Sequence, residues 1–388
     1  MMKALYIIAV ALLSVFNTGI SQTPQLSEKA QISLITCAAG DVLYYAFGHT
    51  AFRVQDPVLG IDLVYNYGTF DFDKPNFYWN FSKGKLIYTL SRRRFENFLY
   101  DYELEKRWVK EQIFDLSQAE TNQLFQFFEE NYKPENRDYL YDPLFNNCSS
   151  ITIDILEKQF GPSLKINNDH LERQYSFREL VRQFIHTNSW GAFGIDLAFG
   201  AVVDRTATVR EHIFLPYYAM RQMENTMIHG KPLVKRERTI LNYPESQDRS
   251  IFMTSPLFWF LLLFCFVSTI TYLDYKHDSR SKWLDFSLFF ISGIAGTIIA
   301  LLWLATDHEV TRLNFNFLWL LPLNTVIAFK LFSNKKLAEW ISHYLRFALF
   351  LIAISLILWI FGIQVMSPLN LLLIAILMLR YIFILKRI

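Results

Sequence analysis

Five apolar stretches fill the C-terminal third of the chain, near 254–273, 284–305, 317–333, 346–363 and 367–385, and each is about long enough to cross a bilayer. A water-soluble fold has no surface on which to hide such a series, so residues 251–388 are expected to form a five-helix transmembrane domain. The segments between the stretches alternate in charge. "DYKHDSRSKW", "FSNKKLAEWISHYLR" and the terminal Lys386-Arg387 are basic, whereas "TDHEVTRLNFN" carries only Arg312 and "GIQVMSP" carries no Lys or Arg. Basic segments stay on the cytoplasmic side, which places residues 22–250 outside.

The first residues point the same way. "MMKALYIIAVALLSVFNTGISQ" has one lysine ahead of an apolar run of about thirteen residues, the size of a secretory h-region rather than of a span. Small residues at Gly19 and Ser21 fit cleavage after Ser21; an uncleaved signal anchor is the alternative, and both would export the region from residue 22 to about 250. The expected layout is therefore a signal peptide at 1–21, a periplasmic domain at 22–250 and the membrane domain, in a bacterial inner membrane. The net charge of +2 and the lack of a phosphate-loop glycine pattern give no sign of a nucleic-acid partner.

Within the exported region, "AQISLITCAAGD", "YYAFGHTAFRVQDP" and "GIDLVYNYGTFDF" read as three strands, the second stopped by Asp56-Pro57. Alternation puts His49, Ala51 and Arg53 on one face, and Asp62, Val64 and Asn66 on one face of the next strand, so a hairpin brings the two sets side by side. "SQAETNQLFQFFEENY" opens with a capping box, Ser117 and Glu120, and "CSSITIDILEKQF" stops at Gly161-Pro162. The latter helix is expected to start near Asn147 or Cys148, where unpaired N–H groups and the positive dipole end favour a thiolate.

A nucleophilic cysteine needs a base and a group that orients the base. Cys148, His49 and either Asn66 or Asp62 supply those types. Residue types alone leave a second reading open, because Cys37 and Cys148 are the two cysteines of the exported region and an even pair outside the cytoplasm invites a disulfide. Asn146 and Asn147 are candidates for oxyanion or substrate contacts, and equally for turn and cap residues; Arg53 is a further candidate for substrate binding. No His, Cys or Asp cluster shows metal-ligand spacing, and no cofactor is expected.

The order of the motifs, a strand histidine followed about a hundred residues later by a helix-start cysteine, resembles the circularly permuted NlpC/P60 group of papain-like enzymes. More closely, "LITCAAGD", "FGHTAFRV", "VYNYGTFDF", "YDPLFNNCSS" and "GIDLAFG…DR…FLPYY" look like the exported domain of the Bacteroides-type lipoprotein N-acyltransferase family, followed by its membrane helices. The resemblance implies an α+β permuted papain-like domain on a five-helix membrane domain. It implies Cys148 as nucleophile and His49 as base; for the orienting residue Asn66 stands ahead of Asp62, because a neutral amide orients imidazole without a buried charge. Membrane phospholipid is then the acyl donor and a diacylated lipoprotein the acceptor. Where the family continues after its cysteine with Thr and Arg, this chain reads Ser149-Ser150-Ile151, which removes the expectation of a basic group just inside the helix. A cell-wall thiol peptidase or amidase would use the same residues, and a non-catalytic module stapled by Cys37 and Cys148 would use neither as a nucleophile.

Two further stretches carry alternatives. "FSKGKLIYTLSRRRF", with Lys83, Lys85 and Arg92 to Arg94, suits either anionic head groups or a solvated strand face. Residues 190–204, apolar but too short to span, suit either an interfacial element admitting acyl chains or a buried core segment, with Asp204, Arg205, Glu211 and His212 as a candidate polar network.

Overall fold

The computed structural model describes residues 24–70, 72–244, 251–333 and 337–388, so the export signal and the 245–250 boundary lie outside the described residues. The first half is a mixed α/β domain. Its strands are β1 (Gln31–Cys37), β2 (His49–Asp56), β3 (Ile61–Thr69), β4 (Leu86–Arg94), β5 (Val109–Phe114), β6 (Asp138–Tyr141), β7 (Leu164–Ile166), β8 (Thr226–Ile228), β9 (Lys231–Pro232) and β10 (Val234–Leu241). Seven form one antiparallel sheet in the order β10-β5-β1-β2-β3-β4-β6, and β7-β8-β9 form a small second sheet.

The β2–β3 hairpin forms with Arg53 opposite Val64 and Gln55 opposite Asp62. Asp56 stops β2 chemically as well as sterically: its carboxylate accepts the Val58 and Leu59 N–H groups at 2.9 and 3.3 Å, closing the turn. The sheet is covered on both faces. Leu34, Phe52, Val54 and Tyr65 pack under the helices Gln118–Tyr132 and Ser150–Phe160, while Ile35, Cys37, Ala51 and Val64 pack under the helix Phe95–Leu104. Ser117 and Glu120 make the expected capping box.

Among the described residues, the membrane half contains three helices long and apolar enough to cross a bilayer, Pro256–Lys276, Lys282–Leu304 and Glu339–Ile360. The fifth apolar stretch yields a shorter helix, Asn370–Leu385. The third stretch departs from the expectation of a continuous span. It breaks into a 3-10 turn, Phe315–Leu318, and a nine-residue helix, Asn324–Phe332, because Pro322 interrupts the hydrogen-bond ladder between them. The broken segment lies directly on the Lys282–Leu304 helix: an added Cβ at Gly296 would stand 1.8 Å from the Leu320 oxygen, and one at Gly293 2.2 Å from the Thr325 nitrogen. Glycine is what lets the two backbones touch. Buried Arg380 joins Asp274 and Asp285, tying the last helix to the first two.

The two halves meet through the two segments poor in Lys and Arg, which the charge pattern places outside. Asp307 N–H donates to the Lys83 oxygen (2.8 Å), Gly200 N–H to Val310 (2.9 Å) and the Gln364 amide to Phe199 (3.1 Å). The 190–204 stretch forms the saddle of this junction. Its helix, Trp190–Ala198, sets Trp190 and Phe193 against Phe260 of the first membrane helix. Beneath it, fully buried Arg178 bonds Asp196 (3.0 Å) and Asp204 (2.6 Å). Asp204 therefore belongs to Arg178, and the candidate polar network shrinks to Arg205 with Glu211, 2.5 Å apart. Among the described residues, His212 hydrogen-bonds the backbone of Thr208 and Tyr175 rather than Arg205 or Glu211.

Candidate active site

The end of the sheet where β2 begins and β3 finishes gathers the chemistry. His49 is the first residue of β2, and its Nε2 lies 2.5 Å from Asn66 Oδ1 on β3. A carboxamide oxygen only accepts, so Nε2 carries the proton and Nδ1 is left as the basic nitrogen. The alternative orienting residue, Asp62, is two alternations earlier on β3 and is taken by Arg53, which meets it through two bonds of 2.7 Å.

Cys148 reaches the imidazole from the opposite direction. It sits in the turn leading into the Ser150–Phe160 helix, and that turn is tied to β2 by the Thr50 hydroxyl, which donates to the Cys148 carbonyl at 2.7 Å. The turn can approach only because β3 carries Gly68 there. Gly68 has φ +88°, and an added Cβ would lie 3.3 Å from Cys148 Cβ and 3.9 Å from the His49 ring. A glycine inside a strand pattern signals such a close approach, and this was the available sequence sign of the contact.

The environment separates the two thiols. Burial pushes Cys148 up, but the charge and hydrogen bond of His49, the Thr50 N–H and the Ser149 hydroxyl outweigh it, leaving a pKa lowered from 9.0 to about 7. His49 is in turn shifted: burial disfavours its charge, while the Cys148 charge and the bonds to Cys148 and Asn66 prevail and raise it. Cys37, directly opposite His49 on β1, is pushed by burial up to about 12 and stays a neutral thiol beside Tyr102. Both cysteines are free, so the stapled module is not what the fold contains.

The first amides of the helix, expected from the sequence to be unpaired beside the thiol, are already bonded. Asn147 Oδ1 accepts the Ser149 and Ser150 N–H groups at 2.9 and 3.0 Å, using the first amides of the helix. Its Nδ2 donates to the Pro143 and Phe214 carbonyls at 2.8 and 2.7 Å. Asn147 is thus a cap and a brace, with no donor left for an oxyanion. Asn146 is a turn residue, bonding the Leu140 carbonyl at 2.7 Å. Arg53 is no substrate ligand either: it is buried between Asp62 and Glu111 with its guanidinium 3.5 Å over the Phe95 ring, behind the site. Among the described residues, no acceptor takes the Cys148 backbone N–H, and no group of three or more His, Cys, Asp or Glu is placed to hold a metal ion.

Cys148, His49 and Asn66 open onto a cleft of about 600 Å³. Its walls come from remote parts of the chain: Tyr45 and Phe47, Phe70 and Tyr88, Tyr102 and Arg107, Tyr141, Ile195 and Phe199, and Val310 of the membrane domain. Aromatic and aliphatic side chains dominate it, and one wall belongs to the segment just beyond a membrane helix. The site combines a thiol of lowered pKa, an imidazole bonded to a carboxamide and a largely apolar cleft bordered by the segment after a membrane-type helix.

Residues 25–183 match the family model of the Lnb N-terminal periplasmic domain, and residues 246–387 match that of the Lnb transmembrane domain. No curated protein and no solved structure matches the chain. The two matches lie in the order that the fold displays, an α/β domain and then a helical membrane region, and on that ground the chain belongs to the Lnb family, with a periplasmic domain ahead of its transmembrane domain.

Proposed function

We propose that the protein is a lipoprotein N-acyltransferase of the bacterial inner membrane, working through an acyl-thioester on Cys148, and that its periplasmic domain is a permuted papain-like thiol enzyme. The observation that carries this reading is the opening of the Cys148–His49–Asn66 group into an apolar cleft walled partly by Val310. A peptidase acting on hydrophilic wall peptides gains nothing from such walls; an enzyme whose donor and acceptor are both lipids does.

In the first half-reaction His49 Nδ1 takes the Cys148 proton and the thiolate attacks an ester carbonyl of a phospholipid. The oxyanion forms beside the unoccupied Cys148 N–H. Collapse breaks the ester C–O bond, the glycerol oxygen takes the proton back from His49, and a lysophospholipid leaves. In the second half-reaction the α-amine of a diacylglyceryl-cysteine lipoprotein attacks the thioester. His49 accepts the amine proton, the C–S bond breaks, and an amide and the free enzyme result.

Mass spectrometry of lipoprotein N-terminal peptides tests the proposal. In a strain with Cys148→Ala and no other acyltransferase, lipoproteins should stay diacylated with a free amine. Full N-acylation there would exclude the function, and altered stem-peptide cross-linking in the same strain would favour the peptidase.

A further inference from the structure

Between β3 and β4 the chain builds a short helix, Phe77–Ser82, that buries none of its residues. With the preceding loop it displays contiguous large rings: Phe72 is 56% exposed, Tyr78 70%, Trp79 62% and Phe81 49%. Soluble surfaces rarely tolerate so continuous a patch, and its composition matches the aromatic belt that proteins place at the membrane–water boundary. Lys83 lies over the Trp79 ring at 4.5 Å, and Lys85 is exposed beside it, giving the apolar patch a basic rim.

Position supplies the second argument. The turn after this helix rests on the membrane domain: the Lys83 oxygen accepts from Asp307 N–H, and an added Cβ at Gly84 would stand 2.7 Å from the His308 nitrogen. Asp307 and His308 lie just past Leu304, where a membrane helix ends. The rings therefore sit at the depth at which the bilayer changes from hydrocarbon to head groups. The basic stretch noted in the sequence divides accordingly, since Arg92 and Arg93 at the far end of β4 are paired with Glu129 and Asp101.

A third observation links the patch to the thiol. Ring centroids succeed one another from Phe81 to Phe77 (6.1 Å), Phe77 to Phe70 (6.2 Å), Phe70 to Tyr88 (5.4 Å) and Tyr88 to Tyr141 (4.1 Å). Tyr141 borders Gly68, beside Cys148, and Phe70, Tyr88 and Tyr141 all line the cleft. We infer that the Phe77–Ser82 helix is immersed in the outer leaflet and that this row of rings is the path by which a phospholipid acyl chain passes from the bilayer to Cys148. Immersion stands on the exposure and the contact with Asp307 and His308; the acyl path rests on the acyltransferase reading.

Two measurements on the full chain, reconstituted in phosphatidylethanolamine–phosphatidylglycerol vesicles, separate these parts. In the first, a nitroxide is attached at Tyr78→Cys in a Cys148→Ala, Cys265→Ser background, with Lys29→Cys as an exposed control. Immersion predicts that oxygen relaxes the label at 78 several-fold more than a water-soluble nickel chelate does, with the reverse at 29. Equal nickel access at both positions overturns the inference. In the second, Tyr78, Trp79 and Phe81 are replaced together by Ser in the otherwise native chain. Acylation of Cys148 from vesicle phospholipid should slow about tenfold, with acylation by p-nitrophenyl acetate unchanged. Loss on both substrates, or on neither, overturns the acyl path. Failure of the native chain to take any acyl group from phospholipid would instead strike the function itself and leave the nitroxide result to decide immersion.

Discussion

Replacing His49 with Gln should raise the Cys148 pKa past that of an ordinary thiol. In the native site burial disfavours the thiolate and His49 more than offsets it, holding the pKa at about 7 against 9.0. Without His49 only the weaker bonds from Thr50 and Ser149 oppose burial, so the variant thiol returns to 9.0 or higher. At pH 7 the thiolate share then drops from about one half to about one part in a hundred, roughly fiftyfold. The more basic thiolate is intrinsically faster, with a Brønsted slope of about 0.4–0.5, which restores about eightfold over two pH units. Alkylation at pH 7 should therefore slow by about sixfold or more, and the pH midpoint should move up by about two units. Iodoacetamide rates from pH 5 to 11, read by peptide mass spectrometry, score each cysteine separately, and Cys37, held at about 12, is a slow internal standard. The native rate should fall as pH drops through about 7, because that is where the thiolate is protonated. A variant midpoint that stays near 7 would refute the role given to His49.

Gly68→Ala introduces a side chain at φ +88° and 3.3 Å from Cys148 Cβ, so it should cost about 1–2 kcal/mol in thermal unfolding and slow Cys148 alkylation; native behaviour in both would contradict the packing described. Arg178→Met leaves the buried Asp196 and Asp204 without their shared partner and should destabilise by about 3–5 kcal/mol, read as a lowered melting temperature in detergent. A reporter active only outside the cytoplasm should work when fused after Asn314 and fail after Lys336; the reverse would place the thiol in the cytoplasm.

The range of the forces involved decides which features are legible in the sequence. Alternation along β2 and β3, the Asp56 turn, the Ser117 capping box and the Gly161 stop are local, and each is readable within a few residues. Asn66 and Asp62 cannot be ranked that way, since both lie on the same face of one strand; the hairpin register decides, giving Asp62 to Arg53 and Asn66 to His49. Arg53 and Asn147 have residue types that suit ligand contacts, yet burial commits both to structure. Gly68 marks a close approach within its strand, but its partner, the Cys148 turn, is distant in sequence and shows only in the fold. Hydropathy registers the third apolar run but is blind to the break at Pro322, and the cleft walls are assembled from segments that no local pattern connects.

An acyl-enzyme on Cys148 is read directly from the mass of that residue's peptide after the purified, membrane-reconstituted protein is incubated with phospholipid and no acceptor. Cys148 should gain an acyl chain that neutral hydroxylamine removes, with an equal release of lysophospholipid, and should lose the adduct when a diacylated lipopeptide with a free amine is supplied. N-acylation of the lipopeptide with Cys148 never acylated, or with the acyl group carried on Cys37, would contradict an acyl-enzyme on Cys148.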